Sequence, residues 1–176
     1  MTIFVAGVHG VGKSYLCQKY VQDHDVLHES ASSLIRKERS HVDWSVDKKV
    51  ADVDDNQVAL NSAVKRILAA GHSLLLDGHF VLIDRQCNFT RIPSSVFNDL
   101  CITGVILIEA DPDVISNRLK NRDATPSAVN IADFINAERE QAQKVCREIG
   151  APLKILASPD YPSFSKAISD ALKTAN

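Results

Sequence analysis

Gly7-Val8-His9-Gly10-Val11-Gly12-Lys13-Ser14 follows directly on the apolar run Ile3-Phe4-Val5-Ala6. The spacing is that of a phosphate-binding loop, G-x-x-x-x-G-K-[ST], in its expected place between a strand and a helix. Gly7, Gly10 and Gly12 let the backbone turn tightly enough for successive N–H groups to point inward. Those donors, with the positive end of the following helix, suit the phosphates of a nucleoside triphosphate. Lys13 can reach the β and γ phosphates as a point charge, and the Ser14 hydroxyl is a candidate magnesium ligand. The candidate nucleotide-binding residues are therefore Gly7, His9, Gly10, Val11, Gly12, Lys13, Ser14 and Tyr15. His9 either lines the nucleotide or fills an exposed loop position.

A second run, this one bearing a carboxylate, is Leu74-Leu75-Leu76-Asp77-Gly78. An apolar strand that ends in aspartate puts that carboxylate at the carboxyl edge of a parallel sheet, where ligands bind. Asp77 is thus a second candidate magnesium ligand, or a group that orients the attacking atom. Phosphoryl transfer also needs cations around the migrating group. Arg118 and Arg122 are four apart, on one helix face, and Arg122 opens the polar run Asp123-Ala124-Thr125-Pro126-Ser127, which is short enough to form a small lid. Arg139 follows one helix later as a candidate for the same phosphates. Lys13, Asp77, Arg118 and Arg122 are the candidate catalytic set, each arginine weighed against a solvated surface role.

These groups need a scaffold. Continuous apolar runs at Ile3–Ala6, Leu74–Leu76, Val105–Ile108 and Leu153–Leu156, with a weaker one at Val26–Glu29, predict strands buried on both faces. Helices are predicted over 13–21, 31–39, 54–70, 93–100, 112–121, 131–149 and 161–173. Gly71 and Gly150 stop two of them, and Asp111-Pro112 opens another. The expectation is one doubly wound α/β domain over 1–176, five parallel strands in the order 2-3-1-4-5 with helices on both faces. It would carry an acceptor-binding insert at about 31–60 and a lid at about 121–130.

Composition narrows the class. The chain has 176 residues, 45% hydrophobic, and a formal net charge of −2, which supplies no general field for nucleic acid or an acidic membrane. No apolar stretch reaches membrane-spanning length, and the chain starts straight into a strand, so a cytoplasmic setting is expected. Cys17, Cys87, Cys101 and Cys146 form no C-x-x-C pair, so neither zinc nor a disulfide is expected. His24 and His28 have ligand spacing without a partner cysteine pair, and we read that spacing as chance.

Leu75-Leu76-Asp77-Gly78 after a phosphate loop resembles the nucleoside monophosphate kinases. Asp77-Gly78-His79 and the compact length are closer to the archaeal-type adenylate kinases, whose motif reads Asp-Thr-His. Val105 to Pro112, with Arg118-Leu119 and Arg122-Asp123, is similar to that family's fourth strand, next helix and lid entrance. The resemblance implies ATP and magnesium as cofactors, lid roles for Arg118 and Arg122 and, more loosely, for Arg139. It also implies an acceptor-phosphate role for Arg36 in Leu34-Ile35-Arg36. Gly78, His79 and Arg85 would border the acceptor. His79-Phe80-Val81 stands where common adenylate kinases have Phe-Pro-Arg, and Arg85 is the nearest arginine on that segment. Trp44 is a candidate to stack on an acceptor ring, against the alternative that it anchors a flap. Gln57 is a candidate to bond a base edge.

The expected activity is transfer of the γ-phosphoryl of MgATP to a small acceptor, foremost a nucleoside monophosphate. The alternatives are a metabolite kinase of the gluconate or shikimate kinase sort and a nucleotide-hydrolysing switch that transfers nothing. No nucleic-acid or membrane partner is expected, and the oligomeric state is open.

Overall fold

In the computed structural model, residues 1–41, 52–84, 86–123 and 129–174 are described, and Trp44 and Arg85 lie outside them. The central strand is β1 (Thr2–Ala6), every residue of which is buried. It pairs in parallel with β3 (Leu74–Gly78) on one side and β6 (Ile102–Glu109) on the other. Beyond β3 lies β2 (Leu27–Ser30), and beyond β6 lies β7 (Leu153–Ala157), giving a five-stranded sheet in the order β2-β3-β1-β6-β7. Counted over sheet strands alone, that is the expected 2-3-1-4-5.

The two strands between β3 and β6 were not anticipated. β4 (Val81–Ile83) and β5 (Phe89–Arg91) form a separate antiparallel hairpin, with Leu82 opposite Thr90. Asp84 holds its turn: one carboxylate oxygen accepts from the Gln86 and Asn88 amides, both at 2.8 Å.

Alternation along the strands sorts the core into two layers. Ile3, Val5, Leu75, Ile106 and Ile108 face Leu16, Cys17 and Tyr20 of α1 (Lys13–Tyr20) and Phe164 and Ile168 of α7 (Tyr161–Thr174). Phe4, Leu74, Leu76, Val105 and Leu107 face the other way. They cluster with Leu34 of α2 (Ala31–His41), Leu60 and Val64 of α3 (Asp52–Ala69), Phe97 of the single turn α4 (Ser95–Asn98), and Val145 of α6 (Ile131–Ile149). Helix α5 (Pro112–Asp123) leaves β6 toward the loop between β1 and α1. Cys17 and Cys146 are buried free thiols, whereas Cys87 and Cys101 are exposed at positive φ. Among the described residues no helix is long and apolar enough to cross a membrane.

Candidate active site

The loop between β1 and α1 is built as its glycines require. Gly7, Gly10 and Gly12 have φ of 141°, 80° and 107°. At Gly7 a Cβ would overlap the Ile108 carbonyl oxygen, so the loop can sit against β6 only without a side chain there. Gly12 is the N-cap of α1, and no side chain caps that helix. Its first-turn N–H groups are thus presented to the cavity above them, as an anion site needs.

Lys13 is buried. Its ammonium lies 2.5 Å from the Gly7 carbonyl oxygen, 3.2 Å from that of Val8 and 3.2 Å from His79 Nε2. Burial pulls its pKa down to about 8, against the opposing pull of Asp77 and Glu138. His79 is driven to about 2 by burial, with Lys13 and His9 adding to the effect, so its ring is neutral. The His9 and His79 rings are 4.1 Å apart.

Ser14, in the first turn of α1, meets Asp77 near the end of β3: the Ser14 hydroxyl donates to Asp77 Oδ2 at 2.9 Å. His28 Nε2, from edge strand β2, lies 2.7 Å from the same oxygen. The register that pairs Val5 with Asp77, and Asp77 with Ser30, brings all three to one sheet edge. Burial works to raise the Asp77 pKa. The hydrogen bonds from His28 and Ser14 and the charge of Lys13 outweigh it, so the carboxylate is held below its ordinary range. A hydroxyl and an ionised carboxylate converging at an anion-binding loop are a donor set that fits magnesium. Among the described residues no group of three or more His, Cys, Asp or Glu side chains could hold a metal.

Two cavities meet at this point. One, of about 350 Å³, is lined by the loop residues His9, Gly10, Gly12, Lys13, Ser14 and Tyr15, together with Ser30, Ser32, Asp77 and His79. The other, of about 240 Å³, runs under α2 and α3, sharing Ser30, Ser32, Asp77 and His79 with the first. Its deeper walls are Phe4, Ile35, Leu60, Leu82, Ile92, Val96, Phe97 and Leu100, and Asn56, Gln57 and Gly78 also line it.

The expected arginines are dispersed. Arg118 reaches the loop, donating from Nη1 to the carbonyls of Val11 at 3.1 Å and Gly10 at 3.3 Å. Arg122 is in the last turn of α5, and its side chain lies outside the described residues, as do residues 124–128 of the expected lid. Arg139 forms a two-pronged pair with Glu109, both contacts at 2.6 Å, and lines a third cavity between the ends of β6 and β7. Arg36 is exposed on α2 and is not among the residues lining the cavity beneath that helix.

Two site residues went unrecognised in the sequence. His28 was set aside with His24. The two histidines go separate ways, His28 to Asp77 and His24 to a stack on Tyr20 with ring centroids 3.9 Å apart. Glu138 is 1% exposed, yet its carboxylate accepts from three backbone amides: Gly7 at 3.3 Å, Phe80 at 3.0 Å and Val81 at 2.8 Å. It ties the loop, the entry to the hairpin and α6 together. Burial pushes its pKa up to about 7, against the pull of those amides and Lys13. A signal existed: Ile131, Phe134, Ile135, Glu138, Gln141, Ala142 and Val145 fall on one helical stripe, and a charge in an apolar stripe wants a partner.

Comparison with known proteins bears on the fold and the family. The AAA domain family matches residues 6–134. Uridylate kinase of Saccharomyces cerevisiae is 27% identical over 134 residues, 70% of this chain, and the match spans 62% of that enzyme's length. Among solved structures, a sugar kinase from Janibacter sp. superposes with a TM-score of 0.57 at 14% identity, covering 98% of this chain and 94% of its own. A gluconokinase from Sinorhizobium meliloti superposes with a TM-score of 0.54 at 15% identity, covering 99% and 93%. Those likenesses concern the fold. With a family match from the end of β1 into α6, and a phosphate loop seated at the carboxyl edge of the sheet, the chain belongs to the AAA domain family of P-loop proteins.

Proposed function

We propose that this protein is a magnesium- and ATP-dependent phosphotransferase that moves the γ-phosphoryl group to a small acceptor. The observation that carries the reading is the Ser14–Asp77 contact at the junction of two cavities, one walled by the phosphate loop and one by α2 and α3. The second cavity offers room for an acceptor, which hydrolysis alone would not require. In this reading the loop amides and Lys13 hold the triphosphate, and Ser14 and Asp77 hold magnesium, which would neutralise charge on the β and γ phosphates. Arg118 braces the loop, and Arg122 would approach from the lid. Arg139 can serve the same phosphates only by leaving Glu109. A cytoplasmic setting goes with this reading on composition alone.

The kinase names of the relatives support the reaction class, and the uridylate kinase similarity supports a nucleoside monophosphate as acceptor. A hydroxyl-bearing acceptor is the second reading, favoured by the apolar walls of the α2–α3 cavity. The test is ADP release from MgATP with and without mononucleotides, sugars, hydroxy acids and alcohols, products being identified by mass spectrometry. Lys13→Met should lower acceptor-dependent turnover by about 100-fold or more, as expected on losing a cationic clamp. ADP release that no acceptor accelerates would reject phosphotransfer in favour of the switch.

A further inference from the structure

Helix α6 carries two buried polar side chains one turn apart, Glu138 and Gln141. Both reach the ends of the β4–β5 hairpin. The Glu138 carboxylate accepts from the amides of Phe80 at 3.0 Å and Val81 at 2.8 Å, where the chain enters the hairpin. Gln141 Nε2 donates to the Ile92 carbonyl at 2.7 Å, where the chain leaves it. The Ile92 amide closes the base of the hairpin by donating to the Phe80 carbonyl at 2.9 Å. Farther along, the Phe89 ring stacks on Phe134 of α6 at 5.5 Å, and Arg91 pairs with Glu140 at 2.7 Å. A satisfied buried polar network of this kind fixes the position of what it holds.

The same hairpin helps to wall the α2–α3 cavity. Leu82 and Ile92 line it directly. Phe80 is fully buried, edge-on to Phe4 at 5.1 Å and beside Phe97 at 4.9 Å, and both of those rings are cavity walls. Glu138 has a third partner on the opposite side, the amide of Gly7 at 3.3 Å, at the start of the phosphate loop. The Gly7 carbonyl in turn accepts from the Lys13 ammonium at 2.5 Å. In the proposed reading a bound triphosphate draws that ammonium to its β and γ phosphates. Gly7 then changes one partner while its amide stays tied, through one carboxylate, to the first residues of the acceptor wall. The two oxygens of a planar carboxylate keep a fixed spacing. The three amides therefore shift together or one of them loses its partner, which is costly for a buried group.

We propose that Glu138 is a positioning residue that couples the two cavities: a nucleoside triphosphate on the phosphate loop tightens the hairpin wall of the α2–α3 cavity. The acceptor thus meets a firm wall only once the nucleotide is in place. The inference rests on the triphosphate-binding part of the reading above and adds an order of assembly to it. Such coupling is reciprocal, so an acceptor seated against the wall strengthens the hold on the nucleotide.

The experiment is amide hydrogen exchange on the full-length chain, which reports local opening segment by segment. Peptides over 5–14, 80–84 and 88–92 are followed by mass spectrometry with and without saturating magnesium AMP-PNP, a non-hydrolysable probe. In the parent, exchange should slow at least about 5-fold in the loop and in both hairpin segments, the lower end of couplings between linked sites. Glu138→Gln, at its own saturating probe concentration, should still protect 5–14 and should exchange over 80–84 and 88–92 equally with and without the probe. A brace alone would speed hairpin exchange without removing its response to nucleotide. Gln141→Leu leaves the loop's partners in place, so its hairpin should exchange faster in both states and keep the response. Loss of the response in Gln141→Leu to the same extent would place the coupling in hairpin docking and overturn the role of Glu138. A full hairpin response in Glu138→Gln also overturns it. Should Glu138→Gln not fold, the parent decides alone: protection of 5–14 with no change in the hairpin refutes the inference while nucleotide binding stands. If the probe protects no segment, the nucleotide reading falls with it.

Discussion

Glu138 concentrates several of the site's constraints in one side chain. Its two oxygens accept from amides on β3's exit, on β4 and at the first glycine of the phosphate loop. Glutamine has the same shape but one acceptor oxygen, and its NH₂ would face amide donors. At least one buried N–H would lose its partner, at a cost of about 1–3 kcal/mol. Because Gly7 is among them, the loop should also lose definition. Glu138→Gln is therefore expected to raise the KM for ATP more than it lowers kcat, and to shift thermal unfolding down. An ATP KM equal to that of the parent, with lower stability alone, would make Glu138 a structural brace and nothing more. The residue was hidden in the sequence because no spacing rule links position 138 to positions 7, 80 and 81. The loop and Asp77 were legible because each reports its own local structure. A glycine pattern dictates a backbone path, and an apolar run ending in aspartate dictates an edge. His28 and Glu138 join the candidate site only through pairing across strands and helices.

Among elements, the long strands and helices were legible to within a few residues because burial on both faces leaves an uninterrupted apolar run. The hairpin β4–β5 was not. Its strands are three residues each, Phe89–Arg91 is exposed throughout, and its turn relies on Asp84 rather than on a glycine pair. Nothing in Val81–Arg91 alternates long enough to announce it. The hairpin matters because it follows Gly78 and brings Leu82, and Ile92 just beyond it, to the α2–α3 cavity. Gly78 itself is packed against the Phe4 ring, where a Cβ would approach Cε2 and Cζ to 2.8 Å. Gly78→Ala must push that ring, a wall of the cavity, out of place. Overpacking of this kind costs about 1–3 kcal/mol. The expected outcome is a higher acceptor KM with the ATP KM little changed, together with a lower unfolding midpoint. An acceptor KM that stays put would separate Phe4 from acceptor binding.

For the whole molecule, the site's buried ionisable groups set how stability follows pH, and two of them oppose each other. Glu138 has a pKa raised from 4.5 to about 7, so its contribution to stability is complete below 4.5 and is lost as pH rises toward 7. His79 is lowered from 6.5 to about 2, so its contribution is complete above 6.5 and is lost as pH falls. Between pH 4.5 and 6.5 the two slopes have opposite sign and similar size, roughly 1.4 kcal/mol per pH unit each, and cancel. The parent protein should therefore have a nearly flat urea-unfolding free energy across that window from these groups. Below it, His79 acts with Asp77, whose lowered pKa also removes stability on acidification, and the protein should weaken steeply. Removing one partner exposes the other. Glu138→Gln should lose about 2–3 kcal/mol between pH 6.5 and 4.5 beyond its constant deficit. His79→Gln should instead gain stability as pH falls over the same range. Parallel curves for the parent and both variants would mean that neither group titrates as its burial dictates. The opposition has a structural origin: both groups lie close to Lys13, the His79 ring 3.2 Å from its ammonium and the Glu138 carboxyl near enough to raise its pKa. Lys13 is the one buried cation among the described residues, and a bound triphosphate, in the proposed reading, would meet it.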